Sequence, residues 1–201
     1  DDQIVGGDGN DTVLMGGGDD AFVWNPGDDN DTIEGQGGYD TMVFNGANVT
    51  ENITISPNGG RVNIFRDVAT VTMDMNDVER IDFNALGGAD TMVVNDLSGT
   101  DVVELNFNLA AAGGGGDAQP DNVIVNATSG NDVVIVNGNA SGVAVLGLAW
   151  GIHITGAESA NDRLTVNLLA GDDVLDASGL AATGIQRTAD GGDDDDVLTG
   201  G

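Results

Sequence analysis

The segment Gly6-Gly7-Asp8-Gly9-Asn10-Asp11-Thr12-Val13-Leu14 decides how the rest of the chain reads. Three glycines crowd a six-residue turn, an aspartate closes it, and Thr12-Val13-Leu14 is a short β-prone run. The cadence recurs: Asp2, Asp11, Asp20, Asp31 and Asp40 each stand two residues before an apolar side chain, respectively Ile4, Val13, Phe22, Ile33 and Met42. Intervals of about nine to eleven residues are too short for a helix-plus-strand unit and suit a turn followed by a strand. Two such half-coils make one coil, and the next coil stacks beneath it at a strand spacing of about 4.8 Å.

The composition fits a chain that needs positive charge from outside. Of 201 residues, 34 are Asp or Glu and only 5 are Lys or Arg, for a formal net charge of -29. Such a chain repels itself unless cations enter the fold. No basic face exists for phosphates, which argues against nucleic acid and anionic membrane surfaces as partners. Hydrophobic residues make up 40% and fall in short alternating runs, so a core forms if the runs stack. With no cysteine, neither disulfides nor zinc-thiolate sites are available. No apolar run is long enough to cross a bilayer, so no membrane insertion is expected. The chain opens and closes inside repeats, at Asp1-Asp2-Gln3-Ile4 and Val197-Leu198-Thr199, and reads as a piece of a longer protein.

Along the chain the turns change character while the beat persists. Met15 to Asp20, Pro26 to Asp31 and Gly35 to Asp40 each lose one or more glycines but keep the closing aspartate. From Asn45 to Asp82 the acidic turns vanish, yet the apolar pairs Ile53/Ile55, Val62/Ile64, Val71/Met73 and Ile81/Phe83 hold nearly the same spacing. That regularity predicts further coils of one winding; a hairpin at Pro57-Asn58-Gly59-Gly60, with Ile53-Thr54-Ile55 antiparallel to Val62-Asn63-Ile64, is the alternative. Arg61, Arg66 and Arg80 fall here and are expected to pair with carboxylates on the surface. Turns return at Asp90 and Asp101, Val102 to Leu109 reads as a long strand, and residues 110–120 read as a flexible glycine-rich loop within one domain spanning 1–201. Val143/Val145 and Ile152/Ile154 are again non-acidic strands.

Period-two alternation from each closing aspartate directs Phe22, Ile33, Met42, Met92, Val94, Val103, Val134, Val136, Leu175 and Leu198 inward. A second relation places an asparagine six residues before the acid, at Asn25, Asn84, Asn95, Asn126 and Asn167. Asparagines at strand ends, stacked coil on coil, are expected to hydrogen-bond along the stack. Aspartates one coil apart bring like charges within a strand spacing, which is favourable only with a hard divalent cation between them. Calcium suits an irregular oxygen cage; magnesium demands a tighter octahedron, and zinc is disfavoured with His153 as the one histidine.

The repeat resembles the RTX, or haemolysin-type, calcium-binding family. Gly6 to Leu14 fits that nonapeptide at every specified position, and Gly191-Gly192-Asp193-Asp194-Asp195-Asp196-Val197-Leu198-Thr199 fits except for Asp194 at the third glycine. The match is strong over about the first forty residues, partial near Asp90, Asp101, Asp132, Asp173 and Asp196, and absent from 45–75 and 143–156. The resemblance implies an all-β, right-handed parallel β-roll, a β-solenoid of short strands joined by calcium-binding turns, with nine or ten coils as the estimate from the apolar pairs. It further implies that several calcium ions are clamped by Gly6, Asp8, Gly9, Asp11, Gly18, Asp20, Gly27, Asp29, Asp31, Gly38, Asp40, Asp90, Asp101, Asp132, Asp173, Asp194 and Asp196. Carried over, Asp11 pairs with Asp31 on one edge and Asp20 with Asp40 on the other, with Asp173 and Asp196 a further pair.

The function these features imply is a calcium-dependent structural module, a spacer or adhesin-like segment of an exported bacterial protein, largely unfolded in chelator, secreted or on the cell surface and monomeric. Polysaccharide or cell-surface material is a further partner the reading admits. The alternative is a carbohydrate-active β-solenoid enzyme or its binding portion, which rests on fold analogy alone. The chain is expected not to be an enzyme: lysine is missing, the arginines are scattered, and His153, alternating with Ile152 and Ile154, points outward without a partner. Trp24, Tyr39 and Trp150 lie far apart and are assigned separate packing or surface roles.

Overall fold

A computed structural model describes residues 1–201 and shows two large sheets face to face. The first has ten strands in the order β1 (Gln3–Val5), β3 (Ala21–Trp24), β5 (Thr41–Asn45), β9 (Arg80–Leu86), β11 (Glu104–Ala111), β15 (Gly151–Thr155), β14 (Gly142–Leu146), β13 (Val133–Asn139), β17 (Val174–Leu180) and β19 (Val197–Thr199). The second has nine, in the order β18 (Gln186–Asp190), β16 (Arg163–Asn167), β12 (Asn122–Asn126), β10 (Thr91–Val94), β6 (Asn52–Asn58), β7 (Arg61–Arg66), β8 (Val71–Asn76), β4 (Thr32–Glu34) and β2 (Thr12–Leu14). Successive strands alternate between sheets over most of the chain, and each pairs in parallel with the strand one winding away, as Phe22 does with Met42. The result is an all-β, solenoid-like stack with no closed barrel.

Two meanders interrupt the winding. After β5 the chain skips ahead to β6 and returns through β7 and β8, both antiparallel to their predecessors, so that β8 lies beside β4 and β9 beside β5. The first sheet does the same at β13, β14 and β15. The expectation of unbroken winding through 45–82 is therefore corrected: Asn58 pairs with Arg61 across Gly59-Gly60, and Ile55 faces Ile64. Gly59, at φ 68, takes the left-handed conformation a two-residue hairpin turn requires. Nine or ten layers are indeed stacked in each sheet, but the inserted strands fill layers that complete coils would otherwise fill.

Alternation fixes which side chains meet between the sheets. Phe22, Ile33, Met42, Met92, Val94, Val134, Val136 and Leu175 are buried in one continuous cluster of 41 residues. Trp24 stacks on Phe44 at 4.3 Å between ring centroids, and the file continues through Phe83 and Phe107 at 5.9 and 6.2 Å. Val103 and Leu198 depart from expectation and are 47% and 45% exposed. At Val103 the phase slips: Val102 takes the buried place, and β11 starts one residue later. Leu198 lies on β19, which ends its sheet and has a neighbour on one side only. Strand β11 also runs on to Ala111, into the segment expected to be loop, and Asp117 fixes the base of that segment by accepting the Gly88 N–H at 2.8 Å.

Asparagines stack as their spacing predicts. In the first sheet Asn45 donates to Asn25, Asn84 to Asn45 and Asn108 to Asn84, at 3.0, 2.9 and 3.2 Å. In the second, Asn95 donates to Ser56, Asn126 to Asn95 and Asn167 to Asn126, at 2.9, 2.9 and 2.8 Å. Asn126 both donates and accepts, so Asn126→Leu removes two of these bonds. A loss of about 1–2 kcal/mol in urea unfolding at fixed calcium is expected; an unchanged midpoint contradicts a stabilising role for the stack.

Candidate functional site

Several of the turns that precede the strands share one backbone shape. Their second and fourth residues have positive φ: Gly7 and Gly9 at 79° and 112°, Gly16 and Gly18 at 101° and 124°, Gln36 and Gly38 at 76° and 148°. The shape persists where glycine is absent, with Leu169 at 75° and Asp194 at 78°, each at a cost of about 1–2 kcal/mol relative to glycine. Successive turns stack by main-chain bonds: Gly18 N–H donates to the Gly37 carbonyl at 2.8 Å, and Gly37 N–H to the Gly16 carbonyl at 3.0 Å. A side chain at Gly38 would collide with the Gly18 carbonyl, which accounts for glycine there.

Each turn closes on a carboxylate bonded to the turn one winding earlier. Asp11 N–H donates to Asp31 Oδ1 at 2.9 Å, and on the other edge Asp2 N–H donates to Asp20, Asp20 to Asp40 and Asp40 to Glu79, at 2.5, 2.8 and 2.6 Å. A third run passes from Glu51 to Asp90, Asp121 and Asp162, at 2.8, 2.9 and 3.0 Å. A fourth passes from Asp132 to Asp173 and Asp196, at 2.7 and 3.1 Å. Asp20, Asp31, Asp40, Asp90, Asp121, Asp162 and Asp173 are buried.

One oxygen of each bonded carboxylate is thereby satisfied, and the other is the notable one. Oδ2 of Asp11, Asp20, Asp31, Asp40, Asp90 and Asp173 is buried without a hydrogen-bond partner. Leaving such an oxygen desolvated and unpaired is costly, and a proton or a cation there would lower the cost. Gly6 shows the shape of one position: a Cβ there would lie 3.2 Å from Asp11 Oδ2 and 3.3 Å from Asp31 Oδ2. The two unpartnered oxygens thus face one space floored by glycine. A Cβ on Gly35 would lie 2.7 Å from Asp40 Oδ2 but would first collide with the Asp77 carbonyl, and one on Gly191 would collide with Asp196 alone, so neither repeats the shared space beside Gly6. No three His, Asp or Glu side chains converge as a metal cage.

The other residues singled out from the sequence divide. Asp29 is exposed and its Oδ2 accepts the Gly9 N–H at 3.2 Å; Asp8 lies in the Gly6 turn, and Gly27 takes the left-handed φ of 115° that opens the Asp31 turn. Asp132 joins a run, but both its oxygens accept from Thr128, at 2.9 to 3.1 Å. Asp101 is exposed outside the runs and only weakly accepts from Asp77 N–H at 3.4 Å, because the slip at Val102 removes its turn from the stack. Asp194 is exposed. Four buried or bonded acids, Glu51, Glu79, Asp121 and Asp162, escaped the reading because their turns lack the glycine pattern. Each nonetheless stands two residues before an inward apolar residue, Ile53, Ile81, Val123 and Leu164, so the closing-acid rule alone would have found them.

Of Arg61, Arg66 and Arg80, two pair with carboxylates as expected, and one departs. Arg61 bridges Glu34 and Asp74 at 2.7 and 2.8 Å, half-buried, and Arg80 holds Asp82 at 2.7 Å. Arg66 is not a surface residue: it is buried and paired with buried Glu51. Its side chain points inward because Arg66 keeps the inward phase of Val62 and Ile64 along β7.

Burial raises the carboxyl pKa of Asp90 and Asp121 from 3.8 to about 7, against the lowering effect of the main-chain N–H each accepts; neighbouring carboxylates add to the rise, Asp121 on Asp90 and Asp162 on Asp121. Asp31, Asp40, Glu79 and Asp162 are raised for the same first reason. Comparison with family models, curated proteins and solved structures finds no match to the chain.

A raised native pKa favours the protonated acid in the folded state, so its contribution is complete below the unfolded value near 3.8 and fades as pH climbs through about 7. In chelator, stability measured by denaturant unfolding is expected to fall from pH 5 to pH 8. A rise across that window contradicts desolvated, cation-free runs.

Proposed function

We propose that the chain is a calcium-binding repeat module of the RTX or haemolysin type, a parallel β-roll that serves as a structural spacer or adhesin-like segment of an exported protein. The observation that carries this reading is the set of buried, unpartnered Oδ2 atoms on the closing aspartates, two of which, on Asp11 and Asp31, face one space beside Gly6. Asp11 with Asp31, Asp20 with Asp40, and Asp173 with Asp196 would hold ions, together with main-chain carbonyls of the turns before them. When bound, calcium supplies positive charge to a chain that carries -29 on its own. Folding would follow export into a calcium-rich space, since metal that binds only the folded state adds directly to its stability.

The reading is non-enzymatic. Trp24 and Trp150 are buried, leaving no tryptophan platform for sugar rings, and no helix is long and apolar enough to cross a membrane. Cell-surface or polysaccharide material stays the partner class such a rigid acidic rod would meet, with calcium as bridge.

Millimolar calcium is expected to raise β-sheet circular dichroism from a chelated state that has lost most of it. Asp20→Asn combined with Asp40→Asn should shift the midpoint to higher calcium by about tenfold or more, given one weakened charge-assisted site. Spectra insensitive to calcium, or a double variant that titrates like the parent, would sink the proposal.

A further inference from the structure

Arg66 stands against Glu51, the first acid of the third run. Its Nε and Nη2 both donate to Glu51 Oε1, Nη1 donates to the Val68 carbonyl at 3.2 Å, and the guanidinium carbon lies 5.3 Å from the Trp24 ring centroid. Glu51 closes its turn as the aspartates do, donating its N–H to Asp90 Oδ1. Gly46 precedes it by five residues, the interval from Gly6 to Asp11, and a Cβ on Gly46 would lie 2.5 Å from Glu51 Oε2. The turn thus keeps the leading glycine and the closing acid, though not the positive-φ second and fourth residues. The difference is in satisfaction: Glu51 Oε2 accepts the Ala47 N–H at 2.7 Å and Oε1 has Arg66, so neither oxygen is orphaned, whereas Asp11, Asp20, Asp31, Asp40, Asp90 and Asp173 each keep one that is.

We propose that Arg66 is a protein-borne counter-cation that replaces a metal at the Glu51 turn, so the centre of the stack folds without calcium and seeds the metal-dependent windings on either side. The inference rests on the calcium reading of the other runs. Three features of the centre suit a seed. The β6, β7 and β8 meander pairs residues close in sequence, so it forms at low loop-closure cost. The file of Trp24, Phe44, Phe83 and Phe107 supplies large apolar burial beside it. Arg61 pairs with both Glu34 and Asp74 on the meander's far side, offsetting part of their charge.

Hydrogen exchange read by mass spectrometry on the whole chain tests this. In chelator, amides of β6 to β9 are expected to exchange about tenfold or more slowly than those of β1, β2, β17 and β19, and calcium should protect the latter group. Uniformly fast exchange in chelator with uniform recovery in calcium overturns the seed and leaves the calcium reading standing. Uniform protection that ignores calcium overturns the calcium reading, and the division falls with it. Arg66→Met should accelerate exchange of β6 to β9 in chelator by about a hundredfold, because Glu51 is left charged and buried. Adding Glu51→Gln to Arg66→Met should restore most of that protection. If the single variant stays protected, or the double variant remains as labile as the single, Arg66 does not act through charge and the proposal is overturned.

Discussion

Carboxylates held one strand spacing apart and out of water are the constraint from which the other features follow. A main-chain N–H from the preceding winding satisfies one oxygen of Asp20, Asp31, Asp40, Asp90 and Asp173, which fixes the acid in position but leaves its other oxygen buried and bare. The repulsion between neighbours and the desolvation of each act in the same direction. Only a proton or a cation relieves them, and each relieves them over a different range of conditions. That is why the raised acids and the glycine-floored spaces belong to a single description.

The stack handles the problem in three ways along its length. Glycine turns leave space between paired oxygens, as at Gly6. At Asp132 the side chain and N–H of Thr128 take up the carboxylate, so the run begins without a bare oxygen. At Glu51 an arginine enters from an antiparallel strand. The last two need residues that a strict nonapeptide does not supply, and both occur where the glycine pattern lapses. The meanders have a structural role of their own: each lets the chain skip two places in a sheet and fill them locally, so the strand count stays matched while the turns change chemistry.

Much of this was legible in the sequence because it depends on interval alone. An acid two residues before an inward apolar side chain, and an asparagine six before the acid, follow from strand alternation and turn length; the bonded asparagines and the stacked Asp11 and Asp31 are their direct result. The meanders were not legible from the same counts. A hairpin strand with its turn spans about as many residues as a half-coil, so Ile53/Ile55, Val62/Ile64 and Val71/Met73 keep the beat in either topology and point inward in both. Local turn chemistry at Gly59-Gly60 was the discriminating signal, and it was weaker than the period. Arg66 was misjudged although alternation from Val62 and Ile64 already turned it inward, because a charged side chain was assigned to the surface without its buried partner Glu51 in view. Asp121 and Asp162 were hidden by attention to glycine, although the carboxylate stack itself requires only the closing acid.

Crystals grown or soaked with a trivalent lanthanide, and recorded at its absorption edge, address the bare oxygens directly. Anomalous peaks within about 2.3–2.6 Å of Oδ2 in both Asp11 and Asp31, and in both Asp20 and Asp40, are the predicted result. Ordered carboxylates at those positions with no peak between either pair would contradict it.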